Sequence, residues 1–239
     1  MGSDPVPSGS GQLISFASPN CGLRRDGARP DIVVIHYTAM ADHAAARNWL
    51  CQADAQVSAH YIISARGEVD QLVDEDARAG HAGAGRWGEV EDVNSRSIGI
   101  ELSNIGTAPF AAAQMDALEA LLAGIVARWD IAPKRVIGHS DMAPGRKIDP
   151  GARFDWARLA RGGLAIQLPP VDGQNTDPAR FFDDLRVAGY TADADHAALL
   201  SAFRLRHRQG ATGPLDAFDC ALAAQLAQRF PVDQTISSA

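Results

Sequence analysis

Cysteine is scarce and odd in number. The three in 239 residues, Cys21, Cys51 and Cys220, form no CxxC or CxxxxC pair. That argues against a disulfide scaffold and fits buried or partly exposed free thiols in a reducing compartment. Lys and Arg never run to five in a row, and the formal charge is −7. Neither nucleic acid nor an anionic membrane surface is therefore expected as the main partner. No apolar run approaches the roughly 18 residues needed to span a bilayer, so no membrane span is expected. Residues 1–12 carry no Lys or Arg and no apolar stretch. They are not a secretory signal and read as a disordered leader. With the free thiols, this points to the cytoplasm. HExxH, the commonest zinc-protease signature, is absent.

What is present is a core. At 46% hydrophobic, the chain can bury one or two domains. The β-branched run Asp31 to His36 reads as a buried strand. Asp42 is placed to cap a helix over HAAARNWL, with Ala46, Trp49 and Leu50 on one face. Val57 to Ser64 and Glu68 to Val73 flank Arg66-Gly67 and read as a hairpin. The Gly-rich, polar stretch Ala77 to Asn94 is a long loop, and long loops in compact domains are often functional. Ser97 to Ser103 is a strand. Met115, Leu118, Leu122, Ile125 and Trp129 mark one long amphipathic helix ending before Pro133. Arg135 to Gly138 is a short strand. Mixed strands and helices predict an α/β domain with a central sheet over 13–165. Residues 166–177, rich in Pro, Gly and polar groups, read as a linker. Three short helices follow over 178–239, too few residues for an independent core, so they are expected to dock on the first domain.

Two motifs mislead. Gly83 to Gly88 fits GxGxxG but neither follows an apolar strand nor opens an apolar helix. Gly138-His139-Ser140-Asp141-Met142 begins like a nucleophile elbow, but Met142 stands where the closing glycine belongs. A dispersed set is more telling. His36 ends a buried strand, His139 follows a second strand, and Asp149 lies ten residues on. Two imidazoles and a carboxylate suit Zn²⁺ and leave a fourth tetrahedral position for water, whose pKa zinc can lower to about 7. An acyl hydrolase also needs a base and a cation for the developing oxyanion. Glu101 interrupts the apolar strand SIGIELS and faces the side of Ser97 and Gly99. Lys147, two residues before Asp149, shares its face in an extended stretch.

The ordered segments IVVIHYTAM, SAHYIISARGEVDQLV, HAGAGRWG, NSRSIGIELSN and GHSDMAPGRKIDPG resemble the zinc N-acetylmuramoyl-L-alanine amidases of the AmpD/AmiD type, related to phage lysozyme-type amidases and peptidoglycan-recognition proteins. The resemblance covers roughly Asp31 to Trp156. It implies a mixed central sheet flanked by helices, with Zn²⁺ held by His36, His139 and Asp149. It implies Glu101 as the catalytic carboxylate and Lys147 as the oxyanion-stabilising cation. Asn94, Trp87, Arg146 and His81 fall in stretches that line the family's substrate cleft, whereas His60 is expected to be structural. The helical tail GYTADADHAALLSAFRLRHRQGATGPLDAFDCALAAQLA resembles a three-helix peptidoglycan-binding module. The expected substrate is a peptidoglycan fragment cut between (1,6-anhydro-)N-acetylmuramic acid and L-alanine, in cell-wall recycling, by a monomer. The alternatives are a periplasmic amidase acting also on muropeptides and intact peptidoglycan, and a protein that binds peptidoglycan without cutting it.

Overall fold

The computed structural model describes residues 14–233, so the leader expected over 1–12 lies outside the described residues. Eight strands occur: β1 (Ile14–Ser15), β2 (Cys21–Leu23), β3 (Ile32–Tyr37), β4 (Tyr61–Ile63), β5 (Val69–Gln71), β6 (Ala77–Ala79), β7 (Ser97–Leu102) and β8 (Val136–Gly138). The α-helices are α1 (His43–Leu50), α2 (Val93–Arg96), α3 (Ala112–Trp129), α4 (His139–Met142), α5 (Trp156–Arg161), α6 (Pro178–Ala188), α7 (His196–His207) and α8 (Ala217–Arg229). Six strands form one mixed sheet in the order β1-β5-β4-β7-β3-β8, and β2 pairs with β6 apart from it. Only β5 runs antiparallel to its sheet neighbour β4, as the expected hairpin; β4, β7, β3 and β8 are mutually parallel.

Strand alternation sorts the side chains. Val33, Ile35, Ile98, Ile100 and Leu102 face α3, which contributes Met115, Leu118, Leu122 and Ile125, all buried. Burying side chains of this size is worth about 1.5–3 kcal/mol each. The helix ends where Asp130 turns left-handed at φ 55°, three residues before Pro133. The opposite face is covered in two pieces. Ile62 and Leu72 pack under Ala46 and Leu50 of α1. Ile32, Val34 and Ile137 share a continuous apolar core with Phe181, Leu185, Tyr190 and Phe203 of the C-terminal helices. Asp42, Asp177, Asp195 and Asp216 each cap a helix through the side chain, contacts worth about 1 kcal/mol apiece. Between the two coverings a cleft reaches His36 and Glu101 of the sheet, while the His81 ring covers Gly99. No helix among the described residues is long and apolar enough to cross a membrane.

Candidate active site

Parallel strands share one carboxyl end, and in open α/β sheets ligands gather there. His36 lies near the end of β3 and pairs in register with Glu101 of β7, so both project from the same face. β8 delivers His139 directly after Gly138. Asp149 comes from the loop that follows. His36 Nδ1, His139 Nδ1 and Asp149 Oδ2 stand 2.9, 3.0 and 3.0 Å apart, all on buried residues.

Hydrogen-bond bookkeeping fixes what those three atoms present. The Ser97 hydroxyl donates to Val93 O (2.5 Å), so toward His81 Nε2 (3.1 Å) it can only accept. His81 therefore donates from Nε2 and keeps a lone pair on Nδ1. That lone pair receives the His36 Nε2 proton at 3.0 Å, which leaves His36 Nδ1 bare. His139 Nε2 faces the Ala82 carbonyl at 2.8 Å, a group that only accepts; Arg146 Nη2 stands farther off at 3.3 Å and donates to the Ala82 and Ala84 carbonyls, so Nε2 is the donor and Nδ1 is bare as well. Two imidazole lone pairs and a carboxylate oxygen thus point at one spot. Such an arrangement is repulsive by itself and is satisfied by a cation. A tetrahedral zinc with bonds near 2.0–2.1 Å places its ligand atoms about 3.3 Å apart, a small outward relaxation from this spacing. Burial and the neighbouring His139 bring His36 down to about 4, and burial with His36 and His60 takes His81 well below 6.5. Both rings are therefore neutral at pH 7. The residues present fit a zinc ion.

His36, His139 and Asp149 line a cleft of about 520 Å³ together with Glu101, Lys147, Arg146 and His81. That size suits a small-molecule site. Glu101 Oε2 has no hydrogen-bond partner. Burial and the nearby Asp149 raise its pKa to about 8, against the lowering pull of Lys147. Lys147 is exposed on the cleft wall and makes no ion pair among the described residues. Gly99 makes room for this layer, since a Cβ there would lie 2.4 Å from the His81 ring.

Four residues expected in the cleft divide. Arg146 lines it and hydrogen-bonds through Nη2 to the Ala82 and Ala84 carbonyls. His81 lines it too, but both ring nitrogens are taken up by His36 and Ser97, so it orients His36 rather than presenting a free group. Asn94 does not line the cleft. It is 8% exposed, and its Oδ1 accepts from the backbone N–H groups of His81 and Ala82 at 3.0 and 2.9 Å. Trp87 is also misplaced by the expectation. It is 4% exposed and packs edge-on against Tyr190 at 5.1 Å, with Gly189 under its ring, so the C-terminal helices cover it. His60 is fully buried, accepts from Gly99 N at 2.9 Å and packs edge-on against His81.

One wall was not foreseen. Trp49, expected to pack inward with Ala46 and Leu50, is 51% exposed and borders the cleft with Met40 and the 61% exposed Ile148. The helical period alone placed it at the margin of the buried face. Large apolar groups left out of a core beside a polar site are the signal that was available.

Residues 26–152 match the N-acetylmuramoyl-L-alanine amidase family, over half of the chain. The chain belongs to that family. It is 34% identical to the Escherichia coli amidase AmiD over 86% of this chain and 85% of AmiD. It is 35% identical to the E. coli 1,6-anhydro-N-acetylmuramyl-L-alanine amidase AmpD, over 59% of this chain and 87% of AmpD. In structure it superposes on E. coli AmiD in complex with anhydro-N-acetylmuramic acid-L-Ala-D-γ-Glu-L-Lys with a TM-score of 0.79, covering 86% of this chain and 91% of AmiD at 33% identity. Pseudomonas aeruginosa AmpDh3, solved with an anhydromuramic pentapeptide, gives a TM-score of 0.76 at 31% identity, covering 87% of this chain and 94% of AmpDh3. This AmpD/AmiD-type amidase therefore has the mixed sheet and flanking helices of its relatives. The AmiD and AmpDh3 matches extend well past the share of the chain that AmpD matches.

Proposed function

We propose that this amidase is zinc-dependent and hydrolyses the bond between 1,6-anhydro-N-acetylmuramic acid and L-alanine in soluble peptidoglycan fragments. The observation that carries this reading is the convergence of His36 Nδ1, His139 Nδ1 and Asp149 Oδ2, all acceptors, in one cleft with the unpartnered Glu101 oxygen. The AmiD and AmpDh3 structures with anhydromuramyl peptides support the substrate class. His36, His139 and Asp149 would hold the ion, which supplies a Lewis-acidic charge for a carbonyl and for water.

This chain's own groups do the rest. Glu101 takes the proton of the attacking water and returns it to the departing alanine nitrogen. A carboxyl without a hydrogen-bond partner is free for both transfers, and its raised pKa matches a group that must act as base and then acid near neutrality. Lys147 places an unpaired ammonium on the cleft wall, where charge develops on the lactyl oxygen. Trp49 and Ile148 give an apolar wall against which the sugar or peptide stem rests. In this reading 13–165 is the amidase domain, 166–177 a linker and 178–239 a helical module.

Action on the polymer has one observation in its favour. The AmiD match takes in 86% of this chain, and the AmpD match 59%. One experiment separates the readings. The zinc-loaded protein is incubated in parallel with an anhydromuramyl tripeptide and with intact sacculi, and released peptide is followed by mass spectrometry with a chelator control. Release of tripeptide, abolished by chelator, is expected. Release from sacculi as well would extend the substrate to the wall. No release from either, with zinc bound, would make this a binding protein.

A further inference from the structure

His139 sits in α4, a helix of a single turn. Four residues cannot hold a helical conformation by their own hydrogen bonds, so something outside must fix this one. The outside hold runs through Asp141, which is fully buried. Its Oδ2 accepts from the backbone N–H of Gly138, the residue before His139, at 2.7 Å. The same oxygen accepts from Arg206 Nη1 at 2.7 Å, and Oδ1 accepts from the Tyr190 hydroxyl at 2.8 Å.

Gly138 is local, but the other two donors are not. Tyr190 follows α6 and Arg206 lies on α7. The second arm of Arg206 reaches the other end of β8, where Nη2 donates to the Val136 carbonyl at 2.8 Å. One guanidinium therefore brackets the segment Val136 to Asp141 that carries His139. It also lies over the Trp156 ring at 4.3 Å, which fixes its plane. The side chains of Arg206 and Asp141 are 3% and 0% exposed, so solvent and salt screen the pair little. A buried ion pair of this kind is a poor source of stability, because desolvation offsets most of the Coulombic gain. Its return is a fixed geometry, since Asp141 takes three donors and Arg206 reaches two acceptors. Here that geometry belongs to the turn that presents a candidate metal ligand.

We infer that Tyr190 and Arg206 are positioning residues for His139, and that the C-terminal helices complete the metal site through Asp141. The inference rests on the zinc reading above. It gives the helical module a role in the amidase lobe that requires no contact with peptidoglycan.

The test uses the full chain as wild type, Tyr190→Phe, Arg206→Met and Leu226→Ala. Leu226 is buried on α8, none of whose side chains bonds to Asp141, so its truncation loosens the same helices without touching the tie. The zinc dissociation constant is read by competition with a chromophoric chelator, at a temperature where circular dichroism shows each variant folded. The visible spectrum of the cobalt-loaded protein reports ligand geometry. Zinc should bind about three- to tenfold more weakly in Tyr190→Phe and about ten- to a hundredfold more weakly in Arg206→Met, with altered cobalt absorption, as when a group holding a ligand histidine is lost. Leu226→Ala should lower the thermal midpoint and leave both metal readouts unchanged. Zinc binding that follows the loss of thermal midpoint in all three variants alike would overturn the inference, and so would an unchanged dissociation constant in Tyr190→Phe. Should Arg206→Met not fold, Tyr190→Phe decides, since it removes one oxygen only. Wild type that binds no zinc at all would overturn the zinc reading, and this inference with it.

Discussion

Glu101→Gln should make the metal-free protein more stable while destroying its activity. The reasoning starts from the strand. Glu101 interrupts an apolar run, has an oxygen without a partner, and has its pKa raised to about 8 by burial and by Asp149. In the unfolded chain the same carboxyl titrates near 4.3. A carboxyl whose pKa is higher in the fold binds more protons folded than unfolded. Its contribution to stability is fully present below about pH 4.3 and is lost as pH rises toward 8. The limiting slope is about 1.4 kcal/mol per pH unit. The residue keeps some access to solvent through the cleft, which trims the effect to about 1–3 kcal/mol at pH 7. Glutamine has nearly the same shape and no charge to desolvate. Urea denaturation of metal-free wild type and Glu101→Gln should give similar midpoints at pH 5, and a gap in favour of the variant that widens to pH 8. On the zinc-loaded protein, turnover of an anhydromuramyl tripeptide should fall by about 10²–10⁴, the usual worth of a general base, with zinc retained. A variant less stable than wild type at pH 8, or a gap independent of pH, would refute the argument from desolvation. Normal turnover would remove Glu101 from the proton transfers.

Asn94→Ala should leave the N–H groups of His81 and Ala82 without their shared acceptor and weaken zinc binding about 10- to 100-fold, whereas Asn94→Asp, which keeps an oxygen there, should stay near wild type; chelator competition on both variants checks this. Lys147→Met should cut turnover by about 10²–10³ and leave the thermal midpoint and zinc content unchanged, because the side chain is exposed and unpaired; a large loss of stability would contradict that placement. His60 is fully buried with its pKa lowered to about 3 by burial and by Arg24, so it stays neutral in the fold while the unfolded chain takes up a proton near pH 6.5. The contribution of this histidine should therefore be flat above about 6.5 and fall below it, by up to about 1.4 kcal/mol per pH unit; denaturation midpoints from pH 7 to 4.5 should differ in slope between wild type and His60→Gln by this contribution, and an equal slope would contradict the assignment.

What could be read from the sequence was what repeats with a local period. Alternation along SIGIELS put Glu101 on the side of Ser97 and Gly99, and on that side Glu101 does reach the cleft while His81 covers the other two. The spacing from Met115 to Trp129 marked α3, and Asp42 marked where α1 begins. What could not be read were contacts between distant residues of unremarkable type. Asn94, expected at the cleft, shows its supporting role only once His81 and Ala82 are seen to share its oxygen. Trp87 is expected in the cleft because its stretch resembles one that lines the family's cleft, yet its ring lies under Gly189 and Tyr190, a contact that only the docking of the C-terminal helices creates. Asp141 stood inside a misleading serine-hydrolase pattern, while its partners lie 49 and 65 residues further along the chain. The division has a physical cause. The ligand types are prescribed by chemistry and leave a trace in composition and spacing, but the groups that hold them still need only supply an acceptor or donor at the right place. Many residue types at many sequence positions can do that, so the supporting layer of the site becomes visible only once the fold has brought it together.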